Sequence, residues 1–68
     1  MTPLQRKIMK RLRRTYPARY TAGQLSIDMD EWLDSVRAAL ICLVKNDEIN
    51  GHEQYGKIVF YAKEPSNG

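Results

Sequence analysis

Apolar residues recur along the chain at helical spacing in its first two thirds and at alternating spacing near its end. Leu4, Ile8, Met9 and Leu12, together with Gln5, fall on one arc when successive residues are turned by about 100°. Arg6, Lys7, Lys10, Arg11, Arg13 and Arg14 share the opposite arc. Thr2 before Pro3 reads as an N-cap followed by proline at the first helical position, where the missing N–H costs nothing. The helix is expected to end at Thr15, Tyr16 and Pro17, because the residue before a proline is pushed out of the α region.

A second, short helical pattern is capped by Thr21 and centred on Leu25. Gly23 inside it lowers helical propensity by roughly 1 kcal/mol relative to alanine. Asp28, Met29, Asp30 and Glu31 read as a turn, and a third helix is predicted from about Trp32 to Lys45. Its wheel groups Val36, Leu40 and Leu43 with Ala39, Trp32 and Leu33, and turns Asp34, Arg37, Ala38, Ile41 and Lys45 outward, with Cys42 on the border. Trp32 either closes the core against the first helix or stands exposed at the start of the third; its size favours burial. Asn46 and Asp47 stop the helix.

Ile49 opens a strand, and Lys57 to Lys63 alternate, with Ile58, Phe60 and Ala62 on one face and Val59 and Tyr61 on the other. Glu53, Gln54, Tyr55 and Gly56 are expected to connect the two strands, with Gly56 supplying a positive φ. A turn at Asn50 and Gly51 is the alternative, and it leaves the first strand almost no residues. Residues 64–68 read as a flexible C-terminal tail behind a single domain spanning 1–63.

The chain has 68 residues, enough for one small core. Cys42 is its only cysteine, so an intramolecular disulfide and a zinc site of several thiolates are both excluded. No stretch approaches the roughly 20 apolar residues of a membrane span, and Lys10, Arg11, Arg13 and Arg14 interrupt any apolar run of a signal peptide. A soluble, cytoplasmic protein is expected.

Charge is unevenly placed. The net charge is only +3, but residues 1–20 hold Arg6, Lys7, Lys10, Arg11, Arg13, Arg14 and Arg19 and no acid. Between 21 and 49 the balance reverses, with Asp28, Asp30, Glu31, Asp34, Asp47 and Glu48 against Arg37 and Lys45. The basic arc of the first helix therefore has three readings: a polyanion footprint, a solvated face, or a surface attracted to the acidic middle of the protein itself or of a partner.

The order Thr21-Ala22-x-x-Leu25-Ser26, Met29, Ser35-Val36-x-x-x-Leu40-x-x-Leu43, then Ile49 resembles the winged helix-turn-helix domains of bacterial and phage transcription regulators. The resemblance runs from Leu4 to Lys63 and implies an α+β winged helix, with three helices followed by a two-stranded antiparallel β-hairpin wing. It also implies binding to double-stranded DNA, with the third helix in the major groove and a homodimer where sequence is read. On that basis Ser35, Arg37, Ala38 and Ile41 are the base-reading candidates. Arg6, Lys7, Lys10, Arg13, Arg14, Arg19, Lys45 and Lys57 are the phosphate candidates. Three positions depart from the family pattern: Asp30 replaces the turn glycine, Trp32 a small hydroxyl N-cap, and Asp47 the glycine before the wing. Asp30, Glu31 and Asp34 have the wrong sign for phosphates and suit the positive end of a helix dipole.

A rival reading makes the outer face of the third helix a protein-binding surface. Ile41, Ala38 and Cys42 render it apolar, and Asp34 adds an acid. For catalysis the sequence offers no phosphate-cradling glycine loop, no nucleophile–histidine–carboxylate context and no metal-ligand spacing. His52 has no second ligand in sequence, and Cys42 reads as a packing residue. No cofactor, no membrane partner and no small-molecule substrate are expected.

Overall fold

The computed structural model describes residues 1–65. Three helices, α1 (Pro3–Arg14), α2 (Ala22–Met29) and α3 (Leu33–Lys45), are followed by two antiparallel strands, β1 (Ile49–Gln54) and β2 (Lys57–Ala62). This is the α+β, winged-helix layout expected from the sequence. Of the expected tail, Glu64 and Pro65 carry no regular secondary structure, and the rest of it lies outside the described residues.

Both early helices begin with the same device. Thr2 Oγ1 accepts the Gln5 N–H at 3.1 Å while Gln5 Oε1 accepts the Thr2 N–H at 3.1 Å. Thr21 and Gln24 repeat the exchange at 3.1 and 2.9 Å. Each pair satisfies two helix-terminal donors that would otherwise need water. The Thr-x-x-Gln spacing is the sequence signal of these boxes. α3 starts without such a cap: Trp32 makes no side-chain capping bond, and Asp34 in the first turn is the acid that suits its positive end.

α2 runs two residues further than the sequence pattern indicated. Met29 is the last helical residue and is buried, and Asp28 is helical too, so the turn contracts to Asp30 and Glu31. Asp30 ends the helix by taking the left-handed conformation, φ 53°, with the Glu31 N–H returning to the Ser26 carbonyl at 2.9 Å. Asp47 does the same before the hairpin, at φ 60°. Aspartate thus fills both places where the family pattern has glycine.

One apolar cluster draws on every element. Ile8, Met9 and Leu12 come from α1, Leu25 and Met29 from α2, Val36, Ala39, Leu40 and Leu43 from α3, and Ile49, Phe60 and Ala62 from the hairpin. Leu4, Tyr20, Ala22 and Val44 pack against it from the edge. Trp32 is absent from the core: it is 83% exposed, and Leu33 also reaches the surface. The wheel failed for Trp32 because this residue precedes the helix in an extended conformation, φ −64° and ψ 135°, so helical spacing does not govern its direction.

The hairpin is tighter than expected. The register pairs Ile49 with Ala62 and Gln54 with Lys57, leaving only Tyr55 and Gly56 as the turn. Both have positive φ, 53° and 77°, as a type I′ connection requires. Glu53 and Gln54 therefore belong to β1, as do Asn50 and Gly51. Gly51 allows close approach to α3, since a Cβ there would lie 3.3 Å from a Val44 methyl group and 3.5 Å from the Phe60 ring. A third extended piece was hidden in the sequence: Tyr20 pairs with Phe60 as an isolated antiparallel bridge, anchoring the α1–α2 link beside β2.

Candidate nucleic-acid interface

The outer face of α3 and the facing side of the hairpin enclose an open groove. One part, about 340 Å³, is lined by Thr21, Ala22 and Gly23 at the start of α2, by Arg37 and Ile41 on α3, and by Lys57, Ile58 and Phe60 on β2. The adjoining part, about 320 Å³, lies between Ile41, Val44 and Lys45 and the hairpin residues Gly51, His52, Glu53, Ile58 and Phe60. Ile41 and Ile58 line both, at 54% and 55% exposure. Ile58 shares a strand face with buried Phe60 and Ala62, as the alternation indicated, yet stands clear of the core. The sequence treated Arg37, Lys45 and Lys57 as separate candidates; the fold brings them to one groove.

The base-reading candidates are accessible, and of them Arg37 and Ile41 line the groove while Ser35 and Ala38 do not. Ser35, Arg37, Ala38 and Ile41 are all exposed on α3. Arg37 Nη1 lies 3.9 Å from Asp34 Oδ1, a long pair between two solvated groups that leaves the guanidinium available. Of the interaction-face candidates, Ile41, Ala38 and Asp34 are exposed, and Cys42 is half-buried, with its Sγ accepting from Asn46 Nδ2 at 3.6 Å.

The α1 cations lie elsewhere, since no α1 residue lines the groove. Lys7 Nζ pairs with Glu31 Oε2 at 3.1 Å, and Arg11 Nη1 lies 3.8 Å from Asp28 Oδ2. Part of the basic arc is thus turned to the protein's own acidic middle, at the end of α2 and in the turn after it, which is the third of the three readings of that arc. Arg6, Lys10, Arg13 and Arg14 are exposed and have no ion pair among the described residues. Arg13 borders Asp47, Glu48 and Lys63 at the far end of the hairpin. Arg19 is held on the hairpin: its guanidinium carbon stacks 4.6 Å from the Tyr61 ring centroid and its Nη1 donates to Gln54 Oε1 at 3.3 Å. Nothing in the spacing of Arg19 pointed to that stacking.

His52 is exposed beside the groove. Among the described residues no three His, Cys, Asp or Glu side chains converge to hold a metal ion, and no helix is long and apolar enough to cross a membrane.

Compared with known proteins, the chain matches no family model, no curated protein and no solved structure. The winged-helix layout therefore rests on the chain's own elements.

Proposed function

We propose that this chain is a small DNA-binding winged-helix protein, a transcriptional regulator of bacterial or phage type acting in the cytoplasm without catalysing a reaction. The observation that carries this reading is the convergence of Arg37 on α3 and Lys57 on the hairpin around one open groove at the start of α2. α3 is 13 residues long, about 20 Å at 1.5 Å per residue, and the major groove admits a helix of that kind. Arg37 has the fork of donors that matches a guanine edge, and Ala38 and Ile41 offer methyl groups to thymine. Lys57 on the hairpin and Lys45 at the end of α3 offer point charges for phosphates, and the N–H groups opening α2 add a positive dipole end.

Fluorescence anisotropy with a random-sequence duplex, titrated with salt, tests this. Binding should weaken steeply as salt rises, because each neutralised phosphate releases counterions. No association at low salt overturns the proposal.

A second reading rests on Ile41 and Ile58, which give the groove an apolar floor. Such a surface also suits a protein-interaction module, an adaptor or inhibitor that does not bind DNA. Ile41→Asp separates the two: it abolishes capture of a protein partner under this reading, and tight duplex binding by the unmodified chain argues against it.

A further inference from the structure

Away from the groove, one side of the molecule sets a cationic surface beside an apolar and acidic one. Lys10 and Arg14 are exposed on α1 and, with Lys7, Arg11 and Met29, line a shallow depression. Lys10 and Arg14 have no ion pair among the described residues. In the neighbouring α2–α3 turn Asp30 has none either, and two large apolar side chains close to it in the chain stand in solvent, Trp32 just before α3 and Ile27 in the last turn of α2, at 83% and 81% exposure. The pairs Lys7–Glu31 and Arg11–Asp28 join the two surfaces. None of these residues lines the α3–hairpin groove.

We propose that this side is the contact between two copies of the chain, with Lys10 and Arg14 of each set against Asp30 and Trp32 of the other. A surface holding both complementary halves side by side satisfies itself through a two-fold axis, since residue i then meets residue j and j meets i. A cation over an indole face is attracted by the ring quadrupole, and covering Trp32 and Ile27 removes exposed apolar surface from water. A second copy supplies the matching cations in the geometry that α1 already fixes, and the dimer leaves the groove open. The proposal does not depend on DNA binding.

Trp32 is the only tryptophan, so its fluorescence reports on this surface alone. Sedimentation equilibrium and tryptophan emission are followed together over a concentration series at low salt. The expected result is a monomer–dimer equilibrium in which the emission maximum moves to shorter wavelength in step with dimer formation. Salt should weaken it by screening, and Lys10→Glu should raise the dissociation constant about tenfold by placing like charges together. A melting curve confirms that the variant is folded. The proposal is overturned by a monomer at every concentration, by a dimer that leaves Trp32 emission unchanged, by indifference to Lys10→Glu, or by growth into open-ended species.

Discussion

Tyr20 and Phe60 exchange both of their backbone hydrogen bonds, Tyr20 N–H to the Phe60 carbonyl at 2.9 Å and Phe60 N–H to the Tyr20 carbonyl at 2.7 Å. This single bridge fixes the α1–α2 link to the hairpin. Thr21, the cap of α2, follows at once, so the same bridge positions the start of α2 against β2 and defines one wall of the groove.

Tyr20→Pro removes the Tyr20 donor and leaves the Phe60 carbonyl without that partner. The loss of a protein hydrogen bond with incomplete compensation costs about 1–3 kcal/mol. For a domain of this size each kcal/mol corresponds to about 4–8 °C in Tm. Thermal unfolding followed by circular dichroism should show that decrease, and Tyr20→Phe, which keeps the backbone pair, should show much less.

Adjacent residues on α3 should behave oppositely. Leu40 is fully buried and Ile41 is half in solvent. Leu40→Ala deletes buried methyl groups and leaves a cavity, at about 2–5 kcal/mol, a large share of the stability of a small domain. Ile41→Ala should change stability by no more than about 0.5 kcal/mol. Urea unfolding of the two variants gives the comparison directly.

Most of the fold was legible because its apolar positions obey one period per element. Ile8, Leu12, Val36, Leu40 and Leu43 sit where the wheels put them, and Phe60 and Ala62 sit on the inner strand face. The misreadings fall where periodicity ends. Trp32 lies one residue before a helix, Met29 one residue before a left-handed aspartate, and Tyr20 pairs with a residue 40 positions away, which no local pattern reports. The candidate site was legible in its residues but not in its grouping. Whether Lys57 or Arg13 neighbours Arg37 depends on how the hairpin and α1 pack around α3, which the charge distribution along the chain does not report.

Asp30 carries a test of the turn itself. Its φ of 53° is a conformation that costs L residues roughly 1–2 kcal/mol, less for aspartate and nothing for glycine. Asp30→Val should lower stability by about 1–2 kcal/mol, since a β-branched side chain suits the left-handed region poorly. Asp30→Gly should be at least as stable as the unmodified chain. Equal melting temperatures for the valine and glycine variants would refute the assignment of strain to this position.

The last prediction concerns how the groove would divide its labour on DNA. Arg37 is placed on the exposed face of α3, where on the DNA-binding proposal a side chain would meet base edges, so Arg37→Ala should reduce discrimination between cognate and random duplexes by about 1–3 kcal/mol. Lys57 has no ion pair among the described residues and sits on the hairpin beside the same groove, as a phosphate contact would require. Lys57→Ala should weaken binding to all sequences alike and reduce the slope of log K against log salt by about one. Arg13 lies beside Asp47 and Glu48, away from the groove lining, and Arg13→Ala should leave that slope unchanged. Anisotropy titrations of the three variants on cognate and random duplexes measure all of this at once. A slope reduced by Arg13→Ala but not by Lys57→Ala would move the contact surface from the α3–hairpin groove to α1.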